Sequence, residues 1–466
     1  MKQLLIKNGL VVTANEESIC DVLCEGEKIL RIEKDIGAGP ETEIIDAAGK
    51  VVIPGGIDVH THLCLDTGSA VASDDFYSGT VAAACGGVTS LVDHPGFGPS
   101  GCSLDHQIKK YHGLAEGKAV IDYGFHGVVQ HVDDDVLARM ESLAEEGITS
   151  FKLYLTYGYK LADADVYKAL RRAKDLGVLI AVHPENDGVI SLLREEFRAA
   201  GKVSARYHPL SRPDGCEAEA VNRMLLFAKI ADNAPLYIVH VSCALALEFI
   251  EAALRRGQKN LWAETCPQYL YLDDSLYSLP GNQGLKFIMS PPLRTPADNA
   301  ALWRGLPSSL SVIGTDHCPF FFETQKMAGK DNFTACPGGA PGIEERIPLM
   351  YDAAVKGRIS LRRFTELCCS NPAKIFGMYP QKGVIAPGSD ADMVILDPGK
   401  KTVITQKNLH SNVDYSAYEG CAVQGWPVCT ISRGEVIVTD GKFTGSPGRG
   451  KFIKRRFPPV GSEHRE

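Results

Sequence analysis

The stretch Val51-Val52-Ile53-Pro54-Gly55-Gly56-Ile57-Asp58-Val59-His60-Thr61-His62 is an apolar run that ends in two histidines one residue apart. Read as one strand near 51–59, it puts His60 and His62 on the same side, because side chains along a strand alternate with a period of two. Two imidazoles on one face, where a strand gives way to a loop, can hold a metal ion. A His-x-His pair is a weak signal alone, so its meaning depends on the rest of the chain.

Further short apolar runs lie near 88–93, 119–125, 148–156, 178–183, 235–241, 260–266 and 310–316. Amphipathic stretches separate them. The clearest is Asp163 to Gly177, with Asp163 as N-cap, Val166, Leu170 and Ala173 on one face, and Gly177 as C-cap. Asp133 to Gly147 has the same form. Strands alternating with helices imply parallel βαβ units, and eight of them predict a (β/α)8 TIM-like barrel. Both ends of the chain read as β instead. Asn8-Gly9 between Leu4-Leu5-Ile6 and Leu10-Val11-Val12 predicts a two-residue hairpin, and Asp440-Gly441 after Glu435-Val436-Ile437-Val438 predicts another turn. Residues 1–52 and 380–450 are expected to pair into one small β-sandwich domain, with residues 53–379 as the barrel. Residues 451–466, with Lys454, Arg455 and Arg456, read as a solvated or subunit-contacting arm.

The ends of the runs carry the chemistry. After His60 and His62, the fourth run holds Lys152, the fifth ends at His183, the sixth at His240 and the eighth at Asp316. In a barrel all these C-terminal strand ends open onto one face, where active sites are built. A single such histidine is explained by packing; this set points to a metal centre. His94, His126, His131 and His317 are read as supporting or surface groups. Gly96-Phe97-Gly98-Pro99-Ser100-Gly101 matches a dinucleotide-binding fingerprint, but Pro99 stiffens the turn and the barrel pattern argues against a doubly wound sheet.

Composition narrows the class. The 466 residues are 44% hydrophobic and 23% charged, an ordinary globular balance. A net charge of −8 speaks against non-specific nucleic-acid binding. No run approaches the ~20 apolar residues that span a bilayer, and the N-terminal apolar run breaks too early for a signal peptide. The 14 cysteines show no Cys-x-x-Cys pair, so reduced thiols and a cytoplasmic protein are expected.

The whole pattern resembles the amidohydrolase superfamily, and within it the dihydropyrimidinase/D-hydantoinase family, most of all its bacterial phenylhydantoinase-like branch. The resemblance covers nearly the whole chain. It rests on the residues above and on Ser73-Asp74-Asp75-Phe76-Tyr77-Ser78-Gly79-Thr80, Phe151-Lys152-Leu153-Tyr154-Leu155-Thr156-Tyr157, His183-Pro184-Glu185-Asn186-Asp187, Glu264-Thr265-Cys266-Pro267-Gln268-Tyr269, Ser290-Pro291-Pro292-Leu293-Arg294 and Pro387-Gly388-Ser389-Asp390-Ala391-Asp392.

The resemblance implies a small-molecule cyclic amide as substrate, opened by hydrolysis, and a homotetramer. It implies that Lys152 is carboxylated by CO2 to a carbamate bridging two divalent cations, zinc or manganese. His60, His62 and Asp316 would complete one cation site, and His183 and His240 the other. Asp316 would also move the proton, Tyr157 would stabilise the oxyanion, and Ser290 and Gly338 would contact substrate through the backbone. Gly338 stands where the family usually has Asn, and Cys64-Leu65-Asp66 replaces a bulkier loop, so ring-substituent preference is left open. Dihydroorotases place an Arg after the His pair, where Leu63 and Cys64 stand here. An allantoinase-like ureide hydrolase and a non-catalytic scaffold are the remaining readings, the scaffold disfavoured because all six ligand positions are filled.

Overall fold

A computed structural model of the chain describes residues 2–456. Two assemblies of strands account for its architecture. The first is a nine-stranded sheet drawn from both ends of the chain: β1 (Gln3–Val12), β2 (Glu17–Glu25), β3 (Lys28–Glu33), β4 (Thr42–Asp46) and β5 (Val51–Pro54) join four C-terminal strands described below. Leu4, Ile6, Val22, Ile29, Val52, Met393, Ile395 and Ile431 share its core.

The second is the barrel. It runs through β6 (Gly56–Thr61), β7 (Val88–Asp93), β8 (Asp122–Phe125), β9 (Gly127–Val128), β10 (Ser150–Tyr154), β11 (Leu179–His183), β12 (Leu236–Ile238), β13 (Leu261–Thr265) and β14 (Val312–Ile313). All the pairings are parallel. β8 and β9 are one strand interrupted at His126, which leaves eight strands hydrogen-bonded in two segments, β6-β7-β8 and β9 through β14. An isolated parallel bridge between Thr61 and His317 links the first strand to the residues after the last. Helices α1 (Ser78–Cys85), α2 (His106–Ala115), α3 (Asp134–Glu146), α4 (Asp163–Leu176) and α5 (Asp187–Ala199) follow successive strands. The fold is a (β/α)8 barrel with a separate β-sheet domain, and no described helix is long and apolar enough to cross a membrane.

Strand alternation separates the layers. Phe151, Leu153, Ile180 and Val182 face the helices, whereas Leu179, Ala181, Tyr237 and Val239 fill the interior with Phe376 and Ile453. Lys152 falls on the inward set of β10 and is buried. The sheet of the smaller domain ends in β15 (Met393–Val403), β16 (Ala422–Ser432), β17 (Glu435–Thr439) and β18 (Lys442–Phe443), and β15 pairs with β5. Lys382, buried among Asp122, Asp390 and Asp392 at 2.6–2.9 Å, ties the third barrel strand to that sheet.

Four local readings are corrected. The run 51–59 is not one strand: β5 belongs to the terminal sheet, and only β6 enters the barrel. Asn8-Gly9 is no hairpin; β1 runs through it, with Asn8 at φ 62 and a bulge between Ile6 and Gly9, because both flanks pair with β2. Asp163 is the first residue of α4, whose N-cap is Ala162, while Gly177 closes it at φ 67. Finally, the described part of the C-terminal arm is only partly solvated: Lys451, Lys454 and Arg456 are exposed, but Ile453 and Arg455 are buried. Phe452 bridges to Tyr123, and Arg455 is buried at the barrel floor, donating to Ser150 Oγ (2.8 Å) and to the Phe125 carbonyl. Pro458 and Pro459 of that arm lie outside the described residues. Asp440-Gly441, in contrast, makes the β17–β18 turn with both residues at positive φ, as the sequence predicts.

Candidate active site

Each candidate ligand stands at or just beyond the C-terminal end of its strand, except Lys152, which sits mid-strand one layer lower. Their polar atoms converge. Asp316 Oδ1 lies 3.1 Å from His60 Nε2 and 3.2 Å from His62 Nε2, and Lys152 Nζ is 3.5 Å from His60 Nε2. On the far side, His240 Nε2 is 2.9 Å from His183 Nδ1, and the His60 and His240 rings are 5.4 Å apart. His240 (φ 39), Asp316 (φ 54) and Tyr157 (φ 72) all occupy the left-handed region, which costs a non-glycine residue of order 1 kcal/mol or more. Such strain persists where surrounding structure holds a side chain in a required direction.

The ligand set is braced from behind. His60 Nδ1–H donates to Glu264 Oε1 at 2.6 Å, and Glu264 also accepts from the His240 amide (3.0 Å) and the Tyr237 hydroxyl (2.9 Å). His183 Nε2 is 2.7 Å from Glu185, which Arg212 grips with two bonds of 3.1 and 2.8 Å. A carboxylate on the outer nitrogen fixes the tautomer and aims the inner nitrogen at a cation. The Thr315 hydroxyl donates to buried Asp58 at 2.6 Å, and His317 is held by Asp74 at 3.0 Å, so its ring faces away from the cluster. His94 and His126 stack at 3.9 Å beneath the cluster, whereas His131 is a surface group near Asp133.

Electrostatics favour a positive guest. Burial opposes a charge on His60, but Glu264 and Asp316 outweigh it and lift its pKa to about 9. Burial also opposes the Asp316 carboxylate, yet His60, His62 and His240 hold it well below the usual range. Lys152 is the exception: burial pushes it down to about 8, and no carboxylate oxygen among the described residues comes within 4 Å of its ammonium. Burying a lone ammonium is costly, and carboxylation would replace it with an anion carrying two acceptor oxygens. His60, His240 and Asp316 bring ligand atoms within 4.8 Å of one another, a donor set that fits a divalent cation.

A cavity of about 480 Å³ opens over this cluster. Tyr157, Ser290 and Gly338 all line it. Tyr157 is 39% exposed overall and has Ser290 beside its phenol, which burial pushes up to about 12. The loop at Gly338 is anchored: Gly339 N donates to Ile288 O (2.9 Å), and buried Lys326 donates to Ile288 O and Pro337 O (2.9 and 3.1 Å). A Cβ on Gly338 would meet open space. Leu65 and Asp66, from the loop after the His pair, reach the cavity wall, with Gly96 and Phe97 from the glycine-rich stretch opposite. That stretch is cavity rim, and Asp122, which the nucleotide fingerprint would need, is consumed by Lys382 and Arg433. Glu264, Glu185 and Arg212 do not stand out as site residues in the sequence. For the two glutamates the one legible signal is a carboxylate at or near the end of an apolar run, as in Leu261-Trp262-Ala263-Glu264, and Arg212 has none.

Comparison with known proteins gives three findings. The profile of the amidohydrolase family matches residues 51–437. The chain is 50% identical to a D-phenylhydantoinase of Escherichia coli O1:K1 / APEC, over 98% of this chain and all of that one. Among solved structures it superposes on a dihydropyrimidinase from Brevibacillus agri NCHU1002 with a TM-score of 0.95 and 43% identity, covering 98% of this chain and 99% of the other. An L-hydantoinase (dihydropyrimidinase) from Arthrobacter aurescens gives 0.89 and 31%, covering 98% and 100%.

Proposed function

The chain belongs to the amidohydrolase family, a metal-dependent family, and from that premise we propose that it hydrolyses a cyclic amide, opening a hydantoin or dihydropyrimidine ring to an N-carbamoyl amino acid. The observation that carries the reading is the convergence of His60, His62, Lys152, His183, His240 and Asp316 at the floor of one cavity. His60, His62 and Asp316 would hold one divalent cation, and His183 and His240 a second, with carboxylated Lys152 between them. Zinc suits this donor set, and manganese is also compatible. Bound cations would polarise the scissile carbonyl and lower the pKa of a water.

This chain's own groups would do the rest. Asp316, kept ionised by His60, would take a proton from the attacking water and deliver it to the departing ring nitrogen. Tyr157 stays protonated across the neutral range and can donate to the oxygen on which charge develops. Ser290 and the Gly338 loop would hold the ring's own amide groups through backbone contacts. The Arg212 guanidinium, 5.8 Å from the Tyr157 ring centre and paired with Glu185, would keep both Tyr157 and His183 in place. A cytoplasmic homotetramer accords with the family. Leu63, fully buried, supplies no cation for a dihydroorotate carboxylate at that position.

A panel assay tests the reading: metal-loaded protein and its Asp316→Ala variant with dihydrouracil, hydantoin, phenylhydantoin, allantoin and dihydroorotate. Ring opening of the first three, lost in the variant, is the expected result. Turnover of dihydroorotate alone would refute it.

A further inference from the structure

Lys152, Arg194 and Arg212 line the cavity; Lys152 belongs to the ligand cluster, and the cations at and around Arg212 are paired. Arg212 is bidentate on Glu185, Arg294 pairs with Glu217, and Lys160 pairs with Asp187. Arg194, on the cavity-facing side of α5, is different. Its single hydrogen bond among the described residues runs from Nη2 to the Thr334 carbonyl at 3.3 Å, and no carboxylate there lies within 4 Å of it. The guanidinium is half-buried and lines the same cavity as His60, Asp316 and Tyr157. It also lines a smaller outer cavity of about 240 Å³ with Ser191, Glu195, Arg198 and Thr334, so it stands at the passage between the two.

A guanidinium carries five N–H donors in a planar fork that matches a carboxylate. Leaving most of that fork unpaired in a partly dehydrated wall is unfavourable, and an arriving anion would relieve it. Burial and Arg212 disfavour the charge on Arg194 more than Tyr157, Asp187 and Glu185 favour it, and an arriving anion would offset that balance. Apolar and aromatic groups share this cavity lining: Leu65, Phe97, Tyr159 and Phe333, with Phe97 4.8 Å from the Tyr159 ring.

Building on the cyclic-amide reading, we infer that Arg194 is an anion-recognition residue, and that the preferred substrates are cyclic amides whose ring substituent has an apolar stem ending in a carboxylate. The ring sits over the ligand cluster, the stem runs along the aromatic wall, and the carboxylate meets the open side of the Arg194 fork. Neutral hydantoins satisfy the first two contacts and leave the third unmade.

The test compares hydantoin-5-propionate with its neutral isostere, the propionamide, on metal-loaded wild-type protein, Arg194→Gln and Arg194→Lys. A charge-assisted pair in a half-buried site is worth about tenfold or more. Wild type should favour the acid at least about tenfold in kcat/KM, chiefly through KM. Arg194→Gln should erase that preference, and Arg194→Lys, which keeps charge but not the fork, should retain part of it. Equal kcat/KM for acid and amide in the wild type, or a preference unchanged in Arg194→Gln, overturns the inference. Should neither compound be opened, the cyclic-amide reading has failed on its own account. Calorimetric binding of the same pair then decides the anion site: tenfold tighter binding of the acid, lost in Arg194→Gln, supports it, and equal binding overturns it.

Discussion

Replacing Glu264 by Gln should weaken cation binding about 10- to 100-fold without unfolding the protein. Glu264 touches no proposed substrate atom, yet it accepts from His60 Nδ1, the His240 amide and the Tyr237 hydroxyl at 2.6, 3.0 and 2.9 Å. Gln is nearly isosteric, so its carbonyl oxygen keeps the His60 and His240 contacts, and its amide can donate to the Tyr237 oxygen. What disappears is the charge, which does most to raise His60 toward about 9 against burial. Loss of such a carboxylate behind a ligating histidine typically costs 10–100-fold, or about 1.4–2.7 kcal/mol. Gly314→Ala perturbs the same group sterically: its Cβ would fall 2.5 Å from Glu264 Oε2 and 3.1 Å from His60 Cβ. Both variants should show the loss in a chelator-competition titration with zinc or manganese, and activity should recover at high free metal. A folded Glu264→Gln protein binding cations within twofold of wild type would refute the reasoning.

Three other outcomes are expected. Gly338→Asn meets open space, so its stability by urea unfolding should stay within about 0.5 kcal/mol of wild type, and its kcat/KM on hydantoin within about threefold; failure to fold would contradict the loop geometry. Arg455→Ala empties the barrel floor and strips donors from Ser150 and Phe125, and should lower unfolding free energy by roughly 2–5 kcal/mol in the same assay. Glu345 is raised to about 7 by burial and then by Glu344, above the ~4.3 expected of the unfolded chain. A carboxyl whose folded pKa is raised costs stability increasingly from about pH 4.3 up to about 7. The unfolding free energy of wild type minus that of Glu345→Gln should therefore fall by up to roughly 3 kcal/mol between pH 4 and pH 8, and a flat difference would contradict it.

The barrel is legible in the sequence because its signals are long and repeated. Alternation in β10 and β11 makes every second side chain inward, and the residues ending each run then meet on one face. His60, Lys152, His183, His240 and Asp316 are found that way without any knowledge of distances. The failures are local. Val51-Val52-Ile53 and Ile57-Asp58-Val59 are separated only by Pro54-Gly55-Gly56, and nothing in that spacing says that the first half pairs with β15 over three hundred residues later. Asn8-Gly9 has the composition of a turn, but β2 pairs on both sides of it and absorbs the extra residue as a bulge. Arg455 illustrates a deeper limit: a basic tail reads as solvated, and only its acceptors Ser150 and Phe125 at the barrel floor make its burial sensible. Glu264 and Glu185 are barely legible as site residues, and Arg212 not at all, because their importance lies in what they hold, and holding is a property of three-dimensional neighbours.

The central claim is that six side chains from five strands form one two-cation site bridged by a modified lysine. Anomalous diffraction from crystals grown with zinc and bicarbonate tests it directly. Two peaks roughly 3.5–4 Å apart, with carbamate density continuous with Lys152 Nζ between them, are the predicted result. A single peak, or a bare Lys152 amine beside fully occupied metal, would contradict it.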